Sequence, residues 1–226
     1  KSNEISFLSN DFIKINSIKN PFGCGKVNHS ARLSVRDFFT DLMNYLEKNS
    51  HLIKEKFDYS LVNTENSTYK DIQFKNIIFA EGMAVKENPY FSEIPVEANK
   101  GHHLEVKLSE KIEDDFTIKK KHFIFPLNEN TYYYGGTYDR EQIHHKIDNS
   151  AVEKLINALA EFYPNDFEVT QVKFGFRPTV KDRRPIVGAH SEFKNFYVFN
   201  GLGARGILNG NYFAINLYNH LENGEE

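Results

Sequence analysis

The chain contains 226 residues, of which 40% are hydrophobic and 26% are charged. This composition is typical of a globular protein and argues against intrinsic disorder. The 28 Lys and Arg residues are outnumbered by 31 Asp and Glu residues, and the formal net charge of −3 predicts no general attraction to nucleic acid or anionic lipid. No apolar run approaches the roughly 18 residues that a membrane-spanning helix needs.

The single cysteine, Cys24, excludes an internal disulfide and a zinc site built from cysteines. A reducing, cytoplasmic location is therefore the simplest expectation. The first residues do not show the basic segment and apolar segment of a secretory signal. Because the chain opens with Lys1 rather than Met, a processed product and a fragment of a longer protein are both open interpretations.

The first half of the chain contains one clear helical pattern and one short buried strand. Apolar residues recur at helical spacing over residues 31–49, and Ser30 just before them is a candidate N-cap. Residues 77–80 are all apolar, which favours a strand buried on both faces, as in a parallel sheet. From about residue 84 onward, short strand-like runs separated by turn residues predict an antiparallel meander; the runs are 103–108, 116–118, 122–125 and 131–134.

The second half predicts two further helices and three strands. The helices are expected at 152–163 and 203–221, and the strands at 169–176, 186–187 and 196–199. Parallel and antiparallel pairing are both implied, so the predicted class is mixed α/β (α+β) with two lobes.

A glycine motif stands between the strand at 196–199 and the last helix. Residues 201–206 read G-L-G-A-R-G, which matches the G-x-G-x-x-G fingerprint of dinucleotide-binding proteins. That fingerprint requires a further strand and an acidic residue about 20 positions later, but the final helix takes up the residues after Gly206. Two interpretations stay open: a loop that lets backbone N–H groups approach an anionic ligand, with Arg205 beside it, or a glycine-rich turn with a surface arginine.

Several segments in order resemble the flavin-dependent D-amino-acid oxidase superfamily, in the branch of glycine oxidase and sarcosine oxidase. They are K-N-I-I-F-A-E-G at 75–82, K-G-H at 100–102, Y-G-G-T at 134–137, G-F-R-P-T at 175–179 with Asp182, Pro185 and Gly188, and the loop at 201–208. The G-K-V-N segment at 25–28 also matches a turn of that family, with His29 where the family has proline.

The resemblance implies a partial FAD-binding βα lobe and an antiparallel-sheet substrate lobe. The expected divisions are 1–25 as the end of a first substrate-lobe segment, 26–83 as an FAD-lobe segment, 84–174 as the substrate lobe, and 175–226 as the C-terminal FAD-lobe segment. The helix at 31–49 and the strand at 77–80 are expected to pack with the C-terminal strand and helix. Residues 1–25 lack the strand and glycine turn with which the family grips FAD, so the chain is expected to correspond to the later portion of a family member.

The resemblance also implies an activity and a set of site residues. The activity is oxidation of an amine or amino acid by hydride transfer to FAD. Arg177 is the candidate partner of a substrate carboxylate, and His103 and Tyr134 are candidates for the substrate pocket. Gly203, Arg205, Gly206 and Ile207 are candidates for contact with the flavin end of FAD. No catalytic side chain is assigned, because hydride transfer mainly requires orientation and electrostatic support.

Each of these assignments has a simpler structural alternative. Arg177 could pair with Asp182 across a turn, and Tyr134 could serve only sheet packing. A non-catalytic module that holds an anion in the loop at 201–207 is the competing functional class. The doublets at 102–103 and 144–145 point their adjacent histidines to opposite faces of a strand, so no metal site is assigned.

The expected partner is a small amine or amino acid, with neither membrane nor nucleic acid except in a tRNA-modifying variant that oxidises an aminomethylated uridine. Taken by itself, the chain is expected to be inactive and to retain no FAD. Two copies are expected to associate through an apolar edge left exposed, forming a homodimer.

Overall fold

The computed structural model describes residues 7–113 and 116–224. The helices within them are α1 (Val35–Lys48), α2 (Asn149–Phe162) and α3 (Gly206–Asn223). The strands are β1 (Leu8–Ile13), β2 (Cys24–Val27), β3 (Val62–Asn63), β4 (Thr68–Tyr69), β5 (Ile72–Gln73), β6 (Ile77–Phe79), β7 (Glu97–Leu108), β8 (Ile118–Lys119), β9 (Phe123–Pro126), β10 (Thr131–Gly135), β11 (Phe167–Thr179), β12 (Ile186–Ala189) and β13 (Phe196–Asn200). Mixed helices and sheets confirm the predicted fold class. Of the segment predicted at 1–25, the first six residues lie outside the described residues.

The described residues form two compact units. Unit 1 contains those up to Lys56 together with His102–Thr137 and Ile147–Lys173, and unit 2 contains Phe57–Gly101, Tyr138–Lys146 and those from Phe174 onward. These divisions differ from the predicted ones, since 84–101 and 138–146 belong to unit 2 and α1 belongs to unit 1. Strands β7 and β11 each begin in one unit and end in the other.

Unit 1 contains an antiparallel sheet with α2 packed on one face, together with β1, β2 and α1. Strands β8, β9 and β10 pair in succession and β7 pairs with the other side of β10, which confirms the predicted antiparallel arrangement. The core formed by the sheet and helix includes Leu104, Val106, Ile124, Tyr132, Leu155 and Leu159. Helix α2 begins three residues earlier than predicted, because the carboxylate of Asp148 accepts a hydrogen bond from the Ser150 N–H and caps it.

Helix α1 is shorter than the predicted helix at 31–49. It begins after Ser34, so the prediction that Ser30 is the N-cap is wrong. The Ser30 hydroxyl instead donates to the Val27 carbonyl, 3.2 Å away. None of the residues of α1 is buried, although Phe38, Phe39 and Met43 are apolar. The amphipathic pattern therefore identified the helix correctly, but its apolar face is not buried among the described residues.

Unit 2 is organised around a small sheet in which β13 lies between β12 and β6. The pairing of β13 with β6 is parallel, and Val198 lies opposite Phe79. This confirms that the strand predicted at 77–80 pairs with the C-terminal strand, whereas α1, which was predicted to pack with them, belongs to unit 1. Phe79 and Phe196 are buried with ring centres 5.8 Å apart, at the middle of the unit 2 core. No helix in the described ranges is both long enough and apolar enough to cross a membrane.

We expect Leu159→Ala to lower the free energy of unfolding by about 2–5 kcal/mol, because Leu159 is fully buried beneath the sheet of unit 1 and its truncation leaves a cavity. Leu208→Ala is the matched control, since that side chain is 79% exposed and its truncation should cost no more than about 0.5 kcal/mol. Denaturant unfolding followed by far-UV circular dichroism measures both variants. Equal losses would contradict the assignment of Leu159 to the core.

The stability of the fold is expected to fall in mild acid because of His122. Burial lowers the pKa of His122 below its usual 6.5, and Lys121 acts in the same direction, while the contact with the Gly136 carbonyl opposes them. The folded state therefore favours the neutral imidazole, and stability is lost as the pH falls below about 6.5, where the unfolded chain binds the proton more readily. His122→Gln should lose less stability than the wild type between pH 8 and pH 5 in thermal melts. An identical pH dependence in both proteins would contradict this assignment.

Candidate functional site

Arg177 lies in unit 2, in the part of β11 that follows residue 173. Its Nη1 donates to Asn99 Oδ1 at 3.3 Å, and its Cζ lies 4.5 Å from the centre of the Tyr138 ring. A Cβ added to Gly101 would come within 2.3 Å of Nη1, so the guanidinium packs directly on the backbone of Gly101. The cluster thus consists of a cation fixed by an amide, an aromatic ring and a glycine.

The structure does not pair Arg177 with Asp182, the alternative that the sequence left open. Asp182 Oδ1 accepts a hydrogen bond from the backbone N–H of Arg184 at 3.0 Å and closes its own turn. Arg177 instead contacts Asn99, which is buried. A guanidinium held in this way presents a planar fork of donors whose geometry matches a carboxylate.

The glycine loop lies beside the end of β11. Gly201 and Gly203 have φ values of +74° and +56°, in the left-handed region that favours glycine. A Cβ on Gly201 would lie 2.6 Å from Val180 Cγ2, and one on Gly203 would lie 3.4 Å from Thr179 Cγ2. The loop therefore contacts β11 and the residue after it, a few positions beyond Arg177.

Asn200 ties this loop to the segment that follows β6. Its Nδ2 donates to the Gly82 carbonyl at 2.9 Å, and its Oδ1 accepts from the Gly201 N–H at 2.8 Å. A Cβ on Gly82 would in turn lie 3.8 Å from Pro178 Cγ. Three of the motifs picked out in the sequence, at 75–82, 175–179 and 201–208, thus meet in unit 2.

Helix α3 starts at the end of the glycine loop. Its N-cap residue is Arg205, whose side chain makes no capping hydrogen bond, and Arg205 and Ile207 are exposed. The first N–H groups of an α-helix have no intrahelical acceptors and attract negative charge. The residues predicted to contact the flavin end of FAD, namely Gly203, Arg205, Gly206 and Ile207, therefore lie in the glycine loop and at the start of α3.

His103 and Tyr134, both in unit 1, point to opposite faces of its sheet. Tyr134 lies opposite Leu104 in the strand register, is 2% exposed, and belongs to the core; burial raises its pKa to about 12, with a smaller effect of Glu161. His103 stacks on Tyr133 with ring centres 4.7 Å apart. The placement corrects the prediction that His103 and Tyr134 line one pocket, because alternate residues of a strand face opposite sides.

Sequence reasoning missed Asn99, Tyr138, Asn200 and Tyr133. Asn99 and Tyr138 directly flank the K-G-H and Y-G-G-T motifs, so their proximity to those motifs was the available signal. Asn200 precedes the glycine loop, but nothing in its spacing indicated that both ends of its amide would be used. Only the strand register determines that Tyr133, and not Tyr134, lies on the same face of the sheet as His103.

A large groove in unit 1 includes neither Arg177 nor the glycine loop. It has a volume of about 1250 Å³ and lies along β2, β8 and β9. Two of its cations rest on aromatic rings, with Arg32 5.0 Å above Phe125 and Lys119 5.0 Å above Phe123. The groove is therefore lined by both aromatic and basic side chains and is separate from the candidate site.

Within residues 7–113 and 116–224, no group of three or more His, Cys, Asp and Glu side chains is arranged to hold a metal ion. The histidines of the two doublets have other contacts. His102 Nε2 accepts from the Asp148 N–H at 3.1 Å, and the His145 ring packs against Phe176 at 4.8 Å.

Comparison with known proteins gave one family match and several structural matches. The family described as FAD dependent oxidoreductase matches residues 50–215. Glycine oxidase from Geobacillus kaustophilus has a TM-score of 0.62 at 20% identity, over 76% of this chain and 49% of that one. Glycine oxidase from Bacillus cereus has a TM-score of 0.58 at 18% identity, over 69% and 44%. Iminodiacetate oxidase from Chelativorans has a TM-score of 0.55 at 19% identity, over 69% and 44%.

At these identities the structural matches establish a shared fold. The matched region covers less than half of each of these solved proteins, from 44% to 49% of their length.

We expect Gly101→Ala to displace the Arg177 guanidinium, because the added Cβ would overlap it. Loss of the hydrogen bond to Asn99 should lower the free energy of unfolding by about 1 kcal/mol and shift the NMR signal of the Arg177 Nε–H. Gly175→Ala is the matched control on the same strand as Arg177, since its Cβ would meet no atom within 4 Å. If the two variants gave the same Arg177 signal, the close packing on Gly101 would be refuted.

Proposed function

The chain belongs to the FAD-dependent oxidoreductase family, whose match spans residues 50–215, and on that basis we propose that it forms part of an enzyme that oxidises a small amine or amino acid by hydride transfer to FAD. The observation that carries this proposal is the convergence of the Arg177 cluster and the glycine loop within unit 2. A fixed guanidinium and a helix N-terminus within the same unit are the two groups needed to hold a carboxylate and an electron-rich ring.

The residues around the glycine loop fit the flavin end of FAD. Gly203 has no Cβ to obstruct a planar ring, and the N–H groups at Gly206 and Ile207 begin α3 without a side-chain cap. When bound, FAD would supply the hydride acceptor. Negative charge placed on the ring would be favoured by the helix N-terminus and by the guanidinium of Arg205.

Arg177 is the proposed partner of the substrate carboxylate. Its hydrogen bond to Asn99 and its packing on Gly101 restrict the rotation of the guanidinium, so less conformational entropy is lost when a carboxylate binds. Two structural relatives are named glycine oxidase and iminodiacetate oxidase. Glycine and iminodiacetate each contain an amine and a carboxylate. We therefore propose an α-amino or imino carboxylate as the substrate class.

This reaction needs no acid or base from the described side chains in our proposal. Fixing the substrate by its carboxylate restricts the orientation of the carbon that loses the hydride, and such positioning can supply a large part of a rate enhancement. The predicted substrate contact of His103 stays a prediction, as do the inactivity of the isolated chain and its association with a second copy.

A non-catalytic module that holds a carboxylate is the second candidate. It is favoured by the fact that Arg177, Asn99, Gly101 and Tyr138 all belong to a single compact unit. Such a module would bind small carboxylates through Arg177 but would show no dependence on flavin.

The test uses the protein that carries these residues, purified under mild conditions and examined by visible absorption and by amine-dependent turnover. Arg177→Met should raise the KM for an amino-acid substrate at least tenfold, because each hydrogen bond to a charged group contributes roughly 1.5–3 kcal/mol. Arg184→Met, which removes an exposed arginine nearby in sequence, should leave the KM unchanged.

Bound flavin together with an Arg177-dependent KM would support the oxidase. Carboxylate binding without bound or reconstitutable flavin would favour the module. A protein that binds neither flavin nor carboxylate would refute both candidates.

A further inference from the structure

Lys100 is a fully buried lysine whose amine is saturated with contacts. Its exposed fraction is 0%. Nζ donates to the His144 carbonyl at 2.7 Å, to the Lys146 carbonyl at 2.5 Å and to His144 Nδ1 at 3.2 Å, and it lies 4.9 Å from the centre of the Phe174 ring. An ammonium has three N–H donors, so these three acceptors use all of them. A group engaged in this way is suited to holding structure rather than to attacking a substrate.

All the acceptors belong to one short stretch, residues 138–146, which we call the cap segment. At its other end the backbone of Asp139 exchanges two hydrogen bonds with that of Lys100, at 2.7 and 2.9 Å. The first residue of the cap segment is Tyr138, whose ring lies over Arg177. One buried residue therefore holds both ends of the segment that places an aromatic ring on the arginine.

We propose that Lys100 is a positioning residue for the carboxylate site, acting by clamping the cap segment so that Tyr138 stays on the guanidinium of Arg177. The inference rests on the proposed function in that Arg177 is taken to bind the substrate carboxylate. Tyr138 covers part of one face of the guanidinium, although the tyrosine itself is 68% exposed, and the attraction between the cation and the ring favours one orientation of the guanidinium. The cap segment thereby determines how much room a carboxylate has at Arg177.

The hydrogen bonds of Lys100 explain why the cap segment depends on this side chain. Two backbone carbonyls directed at Lys100 would lose their donor in Lys100→Met, while the length and apolar stem of the side chain would be retained. The carbonyls can recover hydrogen bonds only from water, which requires the 144–146 end of the cap segment to move outward. The backbone bonds between Lys100 and Asp139 are retained, so loss of the clamp should loosen the cap segment from its 144–146 end and shift Tyr138 on the guanidinium without creating a large cavity.

The first experiment follows the NMR signal of the Arg177 Nε–H in the unliganded chain. Tyr138→Ala defines the signal without the ring above it. Lys100→Met should move the signal toward the Tyr138→Ala value. Lys146→Met should leave it at the wild-type value, because Lys146 takes part in the cap segment through its backbone carbonyl and N–H. A wild-type signal in Lys100→Met would overturn the proposal.

A second variant covers the case in which Lys100→Met does not fold. His144→Ala removes the ring nitrogen that accepts from Lys100 and from the Lys146 N–H, and it leaves both carbonyl bonds of Lys100 in place. It should produce a smaller shift in the same direction. No shift in a folded His144→Ala protein, when Lys100→Met is unfolded, would count against the clamp.

The second experiment titrates glycine and acetate while the same signal is followed. Lys100→Met should weaken carboxylate binding about tenfold, the effect of losing roughly one charge-assisted hydrogen bond. Leu159→Ala is the control for general destabilisation, and it should retain wild-type affinity despite lower stability. Equal affinity in Lys100→Met and the wild type would overturn the positioning role.

The two experiments separate the clamp from the proposed function. If wild-type Arg177 showed no response to either carboxylate, the proposed function would fail at its anchor. The ring-dependent shift in the unliganded proteins would still decide whether Lys100 holds Tyr138 in place.

Discussion

The parallel pairing of β13 with β6 is the contact on which the candidate site depends. It joins residues 196–198 to residues 77–79, which are more than a hundred positions apart in the sequence. Closing so long a loop costs conformational entropy, which is offset by the burial of Phe79 and Phe196 at the centre of unit 2. Because the two strands run in the same direction, the segments that follow them emerge at the same edge of the sheet. Gly82 and Gly201 are thereby brought to opposite ends of the same asparagine side chain.

Buried polar side chains fix the positions of the loops that the β6–β13 pairing brings together. Asn200, Asn99 and Lys100 are each at most 5% exposed, and each makes hydrogen bonds to groups of unit 2. A buried amide or ammonium is costly unless its hydrogen bonds are made, so each of these residues favours one arrangement of the surrounding loops over many. The apolar core of unit 2 makes the unit stable, and the polar residues determine where the loops around Arg177 lie.

The sheet of unit 1 depends on a different constraint, the alternation of side chains along a strand. The three successive tyrosines of β10 show its effect. Tyr132 and Tyr134 are buried in the core, whereas Tyr133 lies on the other face between His103 and Phe125, at ring distances of 4.7 and 4.6 Å. A shift of one residue in register would exchange these roles, because the side-chain period of a strand is two. The burial of two tyrosines against α2 therefore determines which aromatic ring faces outward.

The sequence by itself determined the type of eleven of the sixteen described helices and strands and the order of the motifs, because both are properties of neighbouring residues, whereas the short strands β1 to β5 were not predicted. Helical spacing located α1 and α2, an all-apolar run located β6, and the glycines of the loop at 201–206 marked a backbone that adopts positive φ. The same local patterns identified Arg177 as the candidate cation. They did not identify its partner: Asp182 is five residues away in the chain, whereas Asn99, the residue that accepts its hydrogen bond, is 78 residues away. Only the tertiary structure decided that contact, the side of the sheet on which Tyr134 lies, and the burial of Lys100, because each depends on strand pairing between distant segments whose free energy no local pattern contains.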